Sequence, residues 1–232
     1  MDTARLAGVT RLRVDGRVPC DVFVFDPHRL ALPSWAACVS RPGALLVSLD
    51  RHFDLVPPPA GAPIPRLGDS LQRFDEYTRW EADVRNVDQI LTALEGGLFS
   101  AAIAVARSDV KGVQPSKHRV LTAPTLRSLI ASGEFRALLL EATSVVLDID
   151  LDCFTTLSDA DPTSVLPWPE ELIRDYLNPP GSAEFWGMLW PKLAGIMISR
   201  EPLHCGGLIE AGRLFERFSQ VLFVELLGAD LP

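Results

Sequence analysis

Apolar runs and amphipathic stretches alternate along the whole chain, and this alternation predicts where strands and helices lie. Residues 9–14 (VTRLRV) switch between apolar and polar at every step, as a short first strand or hairpin arm does. Residues 21–25 (DVFVF) form a β-branched and aromatic run, a buried strand that ends at Asp26-Pro27-His28. Residues 29–41 read as a short helix broken at Pro33, and 43–55 open with the strand ALLVSL and run straight into charge. The breaker-rich segment 57–69 reads as a loop. Residues 70–95 are helical in pattern, with Val84, Val87, Ile90, Leu91 and Leu94 on one face and Gly96-Gly97 as the stop. Further on come a strand at 99–106, a helix within 120–132 capped near Thr122 or Thr125, and a strand over 144–154 that turns acidic at its end. Helices over 169–177 and 182–193, a strand over 193–199 and a long closing helix over 207–227 complete the chain. Strands alternating with helices predict a three-layer α/β/α fold with a mainly parallel sheet.

Composition narrows the picture. The chain has 232 residues, 47% of them hydrophobic, and a mean hydropathy of +0.17, which suits one globular domain over 1–232 with a large core. The net charge of −8, with scattered basic residues and no basic stripe, argues against a nucleic-acid partner and favours cations such as metal ions or guanidinium groups. Cys20, Cys38, Cys153 and Cys205 form no CxxC pair, so a zinc ribbon is excluded and buried thiols are expected. No apolar stretch is long enough to span a membrane, and the N-terminal segment lacks the apolar region of a secretory signal. The expectation is a soluble cytoplasmic protein with no membrane partner. A phosphate-cradling glycine loop is absent as well.

The candidate chemistry sits where apolar strands run into charge. In open α/β sheets, sites form at the carboxyl ends of strands. If Asp50-Arg51-His52-Phe53-Asp54 stays extended, Asp50, His52 and Asp54 share one face. Two carboxylates and an imidazole converging there call for a cation, and mixed nitrogen and oxygen donors suit Mn²⁺, Zn²⁺ or Fe²⁺. Asp148, Asp150 and Asp152 repeat the pattern after the buried run Val145-Val146-Leu147, where unpaired carboxylates would be costly. His28, after the first buried strand, is a further imidazole ligand, with Asp26 as its possible orienting acceptor. Glu201, after the strand ending at Ser199, is placed to hold a cationic substrate unless Arg200 pairs with it. His204 is a candidate proton shuttle or extra ligand, Cys205 a weak candidate nucleophile, and His118 a surface residue.

These residues resemble a known family. Asp50-x-His52-x-Asp54 is similar to the DxHxD signature of the ureohydrolases (arginase, agmatinase and their relatives), and the acidic end of 144–154 resembles their second signature, a strand-end DxD. With DPH, LDRHFD, LDIDLD and SRE in this order, the chain looks closer still to the small peptide arginases, and these motifs span positions 26 to 201. The resemblance implies an arginase-like fold with two Mn²⁺ ions and His28 as the family's first ligand. The chain departs from the family pattern where Pro27 separates Asp26 from His28, and where Leu151-Asp152-Cys153-Phe154 follows the DxD. The second ligand pair is therefore Asp148 and Asp150, which strand register favours, or Asp150 and Asp152. The implied reaction is hydrolysis of arginine side chains in a ribosomal precursor peptide to ornithine and urea. Asp54 would hold the hydroxide and pass its proton to the leaving amine, and Glu201 would pair with the guanidinium. Two other readings stay open: a metal-dependent deacetylase or amidohydrolase on the same fold, and a non-catalytic metal-binding relative.

Overall fold

In the computed structural model, which describes residues 6–83, 85, 87–107, 117–158 and 164–229, a seven-stranded sheet runs in the order β1-β2-β9-β6-β3-β4-β5. Its strands are β1 (Val9–Val14), β2 (Cys20–Phe25), β3 (Ala44–Asp50), β4 (Ala101–Ala106), β5 (Val120–Ala123), β6 (Ser144–Asp150) and β9 (Leu193–Ser199). Every neighbouring pair is parallel except β1 with β2, which form the antiparallel edge hairpin. The uninterrupted apolar character of ALLVSL, AAIAVA and SVVL follows from this arrangement, because parallel strands are covered on both faces.

Side chains alternate between two hydrophobic layers. Leu46, Ala102, Val146 and Met197 face Trp35, Phe74, Tyr77 and Ile90 from α1 (Ala31–Cys38), α2 (Leu71–Trp80) and α3 (Gln89–Glu95). Val47, Ile103, Leu147 and Ile196 face the opposite layer. That layer is made by α4 (Leu126–Ser132), α5 (Phe135–Glu141), α6 (Glu170–Leu177), α7 (Ser182–Leu189) and α8 (Leu208–Ser219). The fold is thus a three-layer α/β/α sandwich. No helix among the described residues is long and apolar enough to cross a membrane.

Several element boundaries differ from the sequence expectation. Pro33 does not break α1, because it lies in the first turn, where no backbone N–H is needed. The helical pattern over 70–95 splits into α2 and α3; Ser70 caps the first by accepting from the Arg73 N–H, and Val84 lies outside the described residues. Residues 120–123 are the edge strand β5 rather than helix, and Thr125, not Thr122, caps α4 in a reciprocal bond with Ser128. The acidic strand stops at Asp150, and Leu151–Phe154 form a 3₁₀ turn. The closing helix ends at Ser219 and continues as a π-helical segment, Gln220–Leu226. A small antiparallel pair, β7 (Thr155–Leu157) and β8 (Val165–Pro167), follows the turn.

Leu147 is fully buried at the centre of β6, opposite Val47 and Ile196. Leu147→Ala is expected to lower stability by about 2–5 kcal/mol, seen as an earlier urea unfolding midpoint.

Candidate metal centre

The carboxyl ends of β2, β3, β6 and β9 lie side by side, so the residues that follow them meet in one place. Asp50 and Asp150 are the last residues of β3 and β6, and both point to the α1–α3 face, the side shared by Leu46 and Val146. His28 opens a 3₁₀ turn just before α1. Glu201 follows β9, and its N–H donates to the Asp26 carbonyl, extending the β2–β9 ladder by one step.

The segment after β3 is not extended. The chain bends at Arg51 and His52, and the His52 N–H donates back to Asp50 Oδ1 at 2.8 Å. Asp54 then takes a φ of 48°. The shared face read from alternation is replaced by a fold-back: Asp54 is buried beside His28, while the His52 side chain stays 51% exposed at the rim. Asp152 likewise reaches the site from a 3₁₀ turn rather than by strand register, with its N–H donating to Asp150 Oδ1 at 3.2 Å.

The result is two adjoining groups that share Asp50: His28, Asp50 and Asp54, and Asp50, His52 and Asp152. Within each group, donor atoms lie within 4.8 Å of one another. His28 Nδ1 is 3.4 Å from Asp50 Oδ2, 3.2 Å from Asp54 Oδ2 and 3.3 Å from Asp150 Oδ2. His52 Nδ1 is 3.7 Å from Asp50 Oδ1 and 3.4 Å from Asp152 Oδ2. Backbone amides engage Oδ1 of Asp50, Asp150 and Asp152, the last from Arg51 at 3.3 Å, and leave each Oδ2 directed at an imidazole. Asp50 Oδ2 is buried and has no hydrogen-bond partner. An orphaned carboxylate oxygen among further oxygens and an imidazole fits a hard or borderline divalent cation.

Asp148 stands behind this cluster. Its Oδ2 is 2.8 Å from His28 Nε2, and its Oδ1 accepts from Trp35 Nε1 at 3.3 Å. A carboxylate can only accept, so the ring's Nε2 carries a proton and Nδ1 faces the aspartates. Asp26, expected to orient His28, instead pairs with Arg200 at 2.7 Å. Glu201 Oε1 accepts from the His28 backbone N–H at 2.6 Å.

A cavity of about 160 Å³ opens over the cluster, lined by Asp50, Asp54, Asp150, Asp152, Glu201 and His204 among others. His204 is exposed at its mouth, on a turn closed by the Gly207 N–H donating to the Pro202 carbonyl at 2.7 Å. Cys205 is buried just below, and burial pushes its thiol pKa far up, which removes it as a nucleophile. His118 does not line the cavity. Asp54 and Glu201 (φ 34°) are the only non-glycine residues with positive φ among those described, and both line the site. Strain of that kind collects where function requires a particular geometry.

Electrostatics show how closely the carboxylates are crowded. Burial, followed by neighbouring carboxylates, raises the pKa of Asp50 and Asp150, and it lifts Asp152 to about 6. Burial also raises Asp54, against the pull of His28. Burial disfavours a charged His28, but Asp148 and Asp150 outweigh it and push the ring well above its ordinary value. The amide nitrogen of Gln89, 3.0 Å from Nδ1, favours the neutral ring instead. His52 is raised by its hydrogen bond to Asp50.

The buried His28, partnered by Asp148, was anticipated only as a ligand, and Gln89 was not anticipated at all. Its polar side chain at a helix start carries no sequence signal of its own. Compared with protein-family models and with curated proteins, the chain matches none.

The raised Asp152 makes a pH prediction for the metal-free protein. The folded state holds this proton up to about pH 6, whereas the unfolded chain releases it near pH 4. Stability therefore falls as pH rises from about 4 to about 6, because the folded state binds more protons across that window. Thermal melts of the chelator-treated protein are expected to show this decline, and Asp152→Asn to flatten it. A decline of equal size in the variant contradicts the assignment.

Proposed function

We propose that this chain is a dinuclear metal-dependent hydrolase that cleaves the guanidinium group of arginine residues in a precursor peptide, giving ornithine and urea. The observation that carries the reading is the pair of His/Asp groups joined by Asp50, beneath a cavity with Glu201 in its wall. The order of motifs that resembles the peptide arginases supports the substrate class.

His28, Asp50, Asp54 and Asp150 would hold one ion, and Asp50, His52, Asp150 and Asp152 the other. Asp148, spent on His28 and Trp35, acts as the acceptor that keeps Nδ1 unprotonated and aimed. Three carboxylates with one imidazole per position favour Mn²⁺. Bound there, the pair of ions would make hydroxide available at neutral pH.

The protein's own groups do the rest. Glu201, oriented by the His28 amide, would pair with the guanidinium and hold its carbon over the cluster. Hydroxide would add to that carbon, and the bond from it to the side-chain Nε would break, leaving that nitrogen as the ornithine amine. Asp54 would accept the hydroxyl proton and deliver it to the departing amine, so that urea leaves and the ornithine amine is released neutral. His204, exposed at the mouth, would carry the proton released when water ionises and return it to that amine.

Exposed apolar side chains at and beyond this mouth, Leu203 (91% exposed), Leu208 and Ile209, suit a chain lying across the surface better than a free amino acid. A single-ion amidohydrolase would leave one of the two groups unexplained. Four free cysteines fit a reducing cytoplasm, which belongs to the same reading.

The Mn²⁺-loaded protein is expected to release urea from arginine-containing peptides and far less from free arginine. Asp54→Asn should lower kcat by about 10²–10⁴-fold, and Glu201→Gln should act mainly on kcat/KM. Metal uptake without urea from any guanidine substrate contradicts the proposal.

A further inference from the structure

Gln89 opens α3 and is only 3% exposed. Its Nε2 lies 2.9 Å from Asp54 Oδ2 and 3.0 Å from His28 Nδ1. The Asp54 carboxylate can only accept, which fixes the amide with its nitrogen toward the site. One N–H donates to Asp54, and the other faces the single lone pair of His28 Nδ1, which a cation would take in its place. Its Oε1 is buried with no hydrogen-bond partner, so the side chain gives up one satisfied bond to keep this orientation.

Asp54 needs such support. Asp50 and Asp150 are fixed by strand ladders, but Asp54 sits on an irregular segment at φ 48°. Two bonds tie that segment to the start of α3: the Val56 N–H donates to the Val87 carbonyl at 3.0 Å, and Gln89 reaches Asp54. The flanking Phe53 and Leu55 are buried in the layer that also holds Ile90 and Leu94.

We propose that Gln89 is a positioning residue of the metal centre, whose amide holds the Asp54 carboxylate beside His28 so that both aim at one cation position and not at the other. Gln89 makes no hydrogen bond to His52 or Asp152, which define the second position. The inference rests on the two-ion reading above, and it assigns a role to a residue outside the motifs that suggested that reading.

The test is Mn²⁺ titration calorimetry on the full chain and on Gln89→Met, which keeps the length and apolar volume and removes the donor. The clamp predicts that wild type takes up two ions and that the variant binds one of them about 10–100-fold more weakly, the other step unchanged. Two unchanged steps in a folded variant overturn the clamp and leave the two-ion reading intact. No Mn²⁺ uptake by wild type overturns both. If Gln89→Met does not fold, the wild-type side-chain amide resonances decide. The clamp expects slow solvent exchange of the Gln89 amide protons and a shift when Cd²⁺ is added. Exchange as fast as that of Gln72, on the exposed face of α2, overturns it.

Discussion

Like charge forced together at the edge of a parallel sheet is the constraint on which this molecule turns. Asp50 and Asp150 are carried to the same edge by strands whose ladders and two apolar layers leave them nowhere else to go. Asp54, Asp152 and Glu201 are folded in beside them. Each pair of charges about 4 Å apart costs on the order of 4 kcal/mol at an effective dielectric of 20. Protonation relieves part of this repulsion, which is why the buried aspartates have raised pKa values. Divalent cations would relieve it more completely, and Asp50 Oδ2, buried without a hydrogen-bond partner, is an atom with much to gain from one.

Rigid and irregular parts of the chain divide the work. Strand ends supply Asp50 and Asp150, whose positions the sheet register sets. Turns supply Asp54, Asp152 and Glu201, which have to be held individually. Backbone amides do this for Asp152 and Glu201, and the Gln89 side chain for Asp54. Behind them, Trp35 and Asp148 lock the His28 ring from the α1 side. The large buried core on both faces of the sheet offsets what this arrangement costs.

Much of this organisation was legible in the sequence, because both faces of the parallel strands are buried and their apolar runs are nearly unbroken. ALLVSL, SVVL and LAGIMIS each lead into the acidic residues that form the site, and their order gave the sandwich. Alternation could not reveal where a strand ends and a turn begins. His52, Asp54 and Asp152 therefore reach the cluster by bends that hydrogen bonds from His52 and Asp152 N–H groups create, not by a shared strand face. Asp148 and Asp150 do share a face of β6, but Asp148 lies two residues deeper, where its carboxylate meets His28 Nε2 and Trp35. β5 was hidden because its half-buried edge position gives it the mixed pattern of a helix start. Gln89 was invisible because one glutamine in an amphipathic stretch looks like solvated surface until the fold buries it.

The most direct test of the account is the metal stoichiometry of wild type, His52→Ala and Asp50→Asn after Mn²⁺ loading and removal of excess ion, with folding checked by circular dichroism. Because Asp50 belongs to both groups, the account predicts two ions per chain in wild type, about one in His52→Ala, and the loss of both in Asp50→Asn. A folded Asp50→Asn protein that keeps both ions, or a wild type that retains none, would contradict it.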